Sequence, residues 1–473
     1  MGTRSRAFFE ELLKGKIMTE ETAPLQGDGI KAEALSKVWP MTAKIDDSDI
    51  HEKHLYVGGV NVAKLPRITT SPLYIMDEED IRTRFREYRH GMSEAFDEYR
   101  VSYAAKAFFC KAMSHIVEEE DCNLLVCSGG ELAIAEAAGY PMDKVVFHGN
   151  NKSEDEIAMA LMDGVGTIVI DNMEEIGKLD INADMFDAEP NVMLRLKTGI
   201  HADTHDYLQT SREDSKFGLS IASGEAMEGV RAILDSDHLH LTGFMAHIGS
   251  QIFNIEPYDR EIEILIDFAC KVRDELGYTA AEIDLGGGLG IAYTKDDEPT
   301  SIADYTAHIG EKMHSYCEQA GFPMPLVAIE PGRSVVGNAG ITCYRAGAPK
   351  KIDGVRTYVP VDGGMSDNIR PALYGAKYEA IVAERGSSPR SEVYTIVGKH
   401  CESGDVLIED ASLQPVEDGE TICIFATGAY CYSMSSNYNS VPRPGVTFVK
   451  DGKYRPVVRP QTYDDLLACD LED

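Results

Sequence analysis

The chain has 473 residues, 43% hydrophobic and 26% charged, a globular composition long enough for two or three domains. Its net charge of −34 argues against nucleic acid or an anionic membrane as a partner, because either would repel it. Ten scattered cysteines with no Cys-x-x-Cys pair point to reduced thiols and a cytoplasmic location, and no run of 18 apolar residues offers a membrane span.

Residues 1–17 carry Arg4, Arg6, Phe8, Phe9, Leu12 and Leu13 in an amphipathic pattern without a secretory core. Residues 1–35 read as a partly disordered N-terminal extension. His51 and His54 have the spacing of metal ligands, but no further ligand cluster follows, so no metal site is expected. Residues 36–80 hold short strand-like pieces at 55–57 and 73–76, and a charged helical pattern runs from Glu78 to about Phe96.

A regular beat then sets in. Apolar strand-like runs at 101–105, 123–128, 144–149, 167–172, 191–197, 241–248, 282–286 and 326–330 alternate with helix-period segments such as 130–139, 257–276 and 302–320. Eight such units make either a closed (β/α)8 barrel or an open doubly wound sheet. Nearly every run ends on a residue able to do chemistry: Lys106, Ser128, His148, Asp171, His247, Gly286 or Glu330. A barrel gathers all eight ends at one mouth, whereas an open sheet brings only those at its switch point to a ligand. The barrel is therefore expected over 81–338. Beyond 339 short alternating strands with Gly/Pro/Asp turns predict a β domain to 473, completed by the segment 36–80.

Lys106 follows the small residues Ala104 and Ala105, with a helix expected from Ala107. A partly desolvated amine at a strand end becomes a nucleophile able to form a Schiff base. Gly286-Gly287-Gly288-Leu289-Gly290 either cradles an anion with backbone amides or is simply a tight turn. Its spacing departs from the dinucleotide fingerprint. In Glu330-Pro331-Gly332-Arg333 the carboxylate either pairs with Arg333 or serves a ligand ring nitrogen, and His247 could stack on such a ring. Arg370 could clamp a carboxylate, Cys401 could donate a proton, and Glu402 could meet an ammonium group.

Taken together these motifs resemble the diaminopimelate decarboxylases, pyridoxal-phosphate enzymes built on the alanine-racemase-like barrel. The resemblance spans about residues 75–465. It rests on Tyr103-Ala104-Ala105-Lys106-Ala107, His148-Gly149-Asn150-Asn151-Lys152-Ser153, Asp214-Ser215-Lys216-Phe217-Gly218, His247-Ile248-Gly249-Ser250-Gln251, the glycine loop, Glu330-Pro331-Gly332-Arg333, Arg370-Pro371-Ala372-Leu373-Tyr374 and Cys401-Glu402-Ser403-Gly404-Asp405. It implies pyridoxal 5'-phosphate held by Lys106, with Glu330 on the ring nitrogen and His247 on the ring face. Ser250, Gly286, Gly287, Gly288 and Tyr430 would hold the phosphate, flanked by Pro331 and Gly332. Arg333, Arg370 and Tyr374 would grip the far end of an amino-acid substrate. Cys401, as proton donor, and Glu402 would come from the second subunit of a head-to-tail homodimer. The implied reaction is decarboxylation of meso-2,6-diaminopimelate to L-lysine, the last step of lysine biosynthesis.

Two stretches depart from the family pattern, Leu196-Lys197-Thr198-Gly199 and Val441-Pro442-Arg443-Pro444. The rival readings are an ornithine, arginine or carboxynorspermidine decarboxylase of the same fold, an amino-acid racemase, or a cofactor-binding protein without turnover. Glu330 disfavours the racemase, which would set an arginine against the ring nitrogen, and Glu402 with Arg370 disfavours the first two decarboxylases.

Overall fold

The computed structural model describes residues 35–49, 52–200 and 215–471. The expectations placed on 1–17, on the extension up to residue 34, on His51 and on Asp214 fall outside these residues.

Eight parallel strands close into a barrel: β1 Tyr99–Ala104, β2 Asn123–Val126, β3 Val145–Phe147, β4 Thr167–Ile170, β5 Asn191–Lys197, β6 His240–Met245, β7 Glu282–Asp284 and β8 Leu326–Ile329. Each pairs with the next in chain order, and β8 returns to β1 through Val327 opposite Tyr99 and Ile329 opposite Val101. The expected (β/α)8 barrel is present. Most strands are shorter than their apolar runs. The regular strands end at Val126, Phe147, Ile170, Met245 and Asp284, although single backbone bonds carry the pairing on, from the His148 amide to the Val126 carbonyl, from Ala246 to Asp284 and from Leu285 to Ala328. The stretch at Lys106 also differs from expectation. β1 stops at Ala104, Ala105–Ala107 make one 3-10 turn, and the next helix begins only at Lys111.

Several helices start just beyond the mouth on side chains that cap them. Ser128 accepts the Glu131 amide, Asn172 accepts that of Glu175, and Ser153 forms a reciprocal capping box with Glu156. Such caps satisfy amides that the first turn leaves unbonded. Gly139, Gly277 and Gly321 end their helices in the left-handed conformation.

The two-residue period of a strand sorts the barrel's side chains. Val145, Phe147, Ile168, Ile170, Val192, Leu194 and Phe244 belong to the large core shared with the surrounding helices. Val146, Val169, Met193 and Met245 form a separate buried cluster, the plug inside the barrel. Two positions further on, the same inward face carries His148, Asp171, Arg195 and His247 at the mouth. A layer of apolar residues thus becomes a layer of functional ones by alternation alone.

The second domain is mainly β. Its six-stranded sheet runs in the order 380–382, 421–424, 340–345, 73–77, 445–450, 453–458. The early strand Leu73–Asp77 is antiparallel to Gly340–Arg345 and parallel to Gly445–Lys450, so N- and C-terminal segments build one sheet. A second sheet joins 350–352, 356–360, 392–397 and 406–413. Among the described residues no helix is long and apolar enough to cross a membrane.

Barrel closure depends on close backbone approach. A Cβ on Gly243, within β6, would stand 1.8 Å from the Glu282 carbonyl oxygen of β7. Gly243→Ala should therefore lower stability by about 2–3 kcal/mol, the usual cost of overpacking, as read from urea unfolding. An unchanged midpoint would show that β6 and β7 can separate freely.

Candidate active site

The mouth of the barrel opens into a cavity of about 270 Å³. Ala104, Lys106, Cys127, His148, Arg195, His247, Ser250, Gly287, Gly288, Glu330, Gly332, Arg333 and Tyr430 are among the residues lining it. A larger groove of about 900 Å³ runs between the helices Glu78–Ala95 and Ile302–Ala320. It shares only Leu289 and Ser334 with the mouth and holds neither Lys106 nor Glu330.

Lys106 is exposed into the cavity while Ala104, Ala105 and Ala107 around it are buried. The amine is thus more open than the partly desolvated one expected. The small neighbours leave room beside it. On the opposite side Glu330 follows β8 and is 7% exposed. Its expected alternative partner, Arg333, is directed elsewhere, donating to Tyr293 Oη (2.5 Å) and Ser250 Oγ (2.7 Å). The Glu330 carboxylate instead lies 2.7 Å from Nε2 of His148. That approach is off the in-line direction, so both atoms lack an aligned hydrogen-bond partner within the chain.

Burial raises the Glu330 carboxyl to about 7, although Arg195 and Lys106 pull it down. Burial also raises Asp284, one strand away, to about 8, with the Glu330 charge adding to the effect. Two carboxyl groups in one dry barrel cannot both ionise cheaply. Burial and the nearby Lys106 and Arg195 cations hold His247 neutral. Its Nδ1 accepts the Gly287 amide at 3.3 Å, which orients the ring.

The glycine loop meets steric demands that only glycine fulfils. A Cβ on Gly287 would lie 2.2 Å from the Glu330 carbonyl oxygen, and Gly288 has φ +122° with the Gly249 carbonyl 2.6 Å from its would-be Cβ. Gly286 and Pro331 sit just behind the cavity lining.

Arg333 and Arg370 are each only 5% exposed. Among the described residues neither guanidinium forms a salt bridge with a carboxylate. Arg370 donates to Tyr378 Oη and stacks on Tyr293, with Cζ 4.6 Å from the ring centre. Tyr293 therefore joins the two cations. Buried guanidiniums without counter-ions call for anionic ligands.

These features fit pyridoxal phosphate: a reachable lysine amine, a buried carboxylate with an unaligned oxygen, a glycine cradle and unneutralised guanidiniums. Arg370, Tyr374, Cys401 and Glu402 do not line the cavity within one chain. Cys401 and Glu402 are exposed, Cys401 being tied through its amide to Asn439 Oδ1 at 3.1 Å. Sequence reasoning quoted Asn150 and Phe217 only within motifs, without a role, and did not select Arg195, Cys127 or Tyr293. Arg195 stacks on Phe217 with Cζ 4.4 Å from the ring and stands 3.8 Å from Asp171. Its signal was a charged residue at an inward position of an otherwise apolar strand.

The pyridoxal-binding domain of the pyridoxal-dependent decarboxylases matches residues 78–337. The chain is 44% identical over 418 residues to a diaminopimelate decarboxylase of Bacillus subtilis, covering 88% of this chain and 95% of that one. It is 41% identical over 443 residues to one of Mycobacterium tuberculosis, covering 92% and 98%. Among solved structures, a diaminopimelate decarboxylase of M. jannaschii in complex with L-lysine superposes with a TM-score of 0.84 at 32% identity, over 91% of this chain and 98% of that one. The chain belongs to the diaminopimelate decarboxylase family of pyridoxal-dependent enzymes.

Proposed function

We propose that this protein decarboxylates meso-2,6-diaminopimelate to L-lysine and carbon dioxide with pyridoxal phosphate. The convergence of Lys106, Glu330 and His247 on one cavity, beside two buried guanidiniums that have no counter-ion among the described residues, carries the reading. The shared identity with diaminopimelate decarboxylases and the L-lysine complex of a structural relative support the substrate class.

Lys106 is the residue to anchor the cofactor's aldehyde carbon, and Ser250, Gly286, Gly287, Gly288 and Tyr430 are those to hold its phosphate. When bound, pyridoxal phosphate supplies an electron-withdrawing ring that takes up the electron pair left by departing carbon dioxide. Glu330 holds the ring nitrogen's proton in place by offering a buried anion. His247, held neutral, would offer the ring a flat face without adding charge. Arg333, bonded to Ser250 and Tyr293, would serve the cofactor phosphate on one side and the substrate on the other. Arg370 and Tyr374 bind the distal carboxylate, which distinguishes diaminopimelate from ornithine or arginine.

Cys401 and Glu402 lie on the surface of one chain, so their roles as proton donor and ammonium ligand require a second subunit facing the mouth. The working unit we propose is therefore a cytoplasmic homodimer with shared sites.

Purified enzyme offered meso-diaminopimelate, ornithine and arginine separately should release carbon dioxide from the first alone; equal turnover of ornithine would refute the substrate assignment. Arg370→Ala should raise KM for diaminopimelate about 10- to 100-fold, the value of a charge-assisted contact, with kcat much less affected. Lys106→Ala and Cys401→Ala chains should each be nearly inactive, yet after mixing they should recover up to about a quarter of wild-type activity through mixed dimers. No recovery despite exchange of subunits would place both residues in one chain's site.

Stability of the cofactor-free protein should also follow the raised carboxyls. The folded chain keeps protons on Glu330 and Asp284 that the unfolded chain releases from about pH 4 upward. Stability should therefore fall as pH rises toward about 8 and then level off. Urea midpoints across this range should show the decline, and Glu330→Gln should flatten it.

A further inference from the structure

Glu330 has a neighbour that its proposed role leaves unexplained. His148 follows β3, its amide donating to the Val126 carbonyl at 2.8 Å, and its Nε2 reaches the Glu330 carboxylate at 2.7 Å. Both side chains are almost wholly buried. The turn that carries His148 is itself pinned from below. Lys152 Nζ donates to the Gly149 carbonyl (2.9 Å), the Val169 carbonyl (2.6 Å) and Glu175 Oε1 (2.5 Å). The other Glu175 oxygen accepts the Asp171 amide at 3.1 Å. One ammonium group thereby ties the ends of β3 and β4 together. A Lys–Glu pair this deep gains little net stability, because desolvation offsets most of the attraction. Its clearest effect is placement.

The imidazole is neutral. Burial lowers its basicity first, and the Arg195, Lys152 and Lys106 cations lower it further. A neutral ring facing a carboxylate through Nε2 makes a favourable contact only if that nitrogen carries the hydrogen. Nε2 is therefore the nitrogen that carries the hydrogen, and a small turn of the ring would bring the 2.7 Å contact, off the in-line direction here, into alignment.

We propose that His148 is a positioning residue for Glu330, holding the carboxylate as an anion and turning its second oxygen toward the cavity, with the Lys152–Glu175 pair fixing the imidazole. The inference rests on the reading of Glu330 as the partner of the cofactor's ring nitrogen. His148 transfers no proton; it keeps a neutral N–H against the carboxylate. The other charged or titratable groups facing Glu330 are Arg195 from β5, Arg100 from β1, Lys106 from the turn after β1, and Asp284 and Glu282 from β7. Cys127 beyond β2 and Glu261 on the helix Glu256–Leu276 also sense it. Asp284, kept protonated by burial, also hydrogen-bonds Glu330, so His148 is one of two neutral donors that face the carboxylate.

The test is to load the enzyme with pyridoxal phosphate carrying nitrogen-15 in the ring and to read that nitrogen's chemical shift. In the wild-type protein the shift should be that of a protonated ring. His148→Leu, which fills space without a donor, and His148→Ala should both move it toward the unprotonated value. They should lower kcat about 10- to 100-fold, the worth of a hydrogen bond to a charged group, while KM changes less than about twofold. His148→Gln, whose amide N–H can reach the carboxylate, should restore most of both. A wild-type shift in either donorless variant overturns the inference. An unprotonated ring in the wild-type enzyme instead overturns the reading of Glu330 itself. Should His148→Ala not fold, the shift in His148→Leu decides the matter.

Discussion

The cost of keeping a carboxylate in a dry barrel governs this site. Glu330 has left water almost entirely, and its carboxyl group is raised accordingly. Its anion is favoured by Arg195, Lys106 and Arg100, which face it from other strand ends, and by a hydrogen bond from Asp284. Arg195 holds its place through Phe217 and Asp171, and the neighbouring His148 through the loop bound by Lys152. Moving one strand end would leave a charge unsatisfied, so the closed barrel is a requirement of the chemistry as much as a container for it.

The cationic side of the cavity follows the complementary rule. Arg333 and Arg370 are buried with tyrosine hydroxyls and rings in place of carboxylates. Neutral partners orient a guanidinium without cancelling its charge, so its attraction remains available to an incoming phosphate or carboxylate. The overall charge of −34 bears on this. A strongly acidic surface repels small anions at long range, and the pocket must outweigh that repulsion over the last few ångströms. Positive charge is concentrated where it is sheltered from salt.

The fold was largely legible because the barrel's signals are local. Apolar runs at a steady spacing fixed eight strands, and the residue after each run marked the mouth. The strand ends are harder to place because hydrophobicity runs on past the regular ladder, as in 241–248, where β6 ends at Met245. Lys106 and Glu330 were readable from their flanking motifs. Arg195 and Tyr293 were not, since their importance comes from what lies across the barrel: Phe217 and Asp171 for one, two guanidiniums for the other. Glu-x-x-Arg misled in a similar way. Its spacing suits an ion pair, but Arg333 opens a short helix that turns it toward Tyr293 and Ser250.

One topological detail bears on how the chain reaches this state. Leu73–Asp77 lies at the centre of the β sheet, yet one of its neighbours is Gly445–Lys450, near the other end of the chain. During synthesis that early segment leaves the ribosome with an exposed apolar edge, and its lasting companion does not exist until translation is almost complete. The barrel can close in the meantime, but the smaller domain cannot. Such long-range pairing makes folding slow and leaves an interval in which the unpaired edge is open to association with other chains.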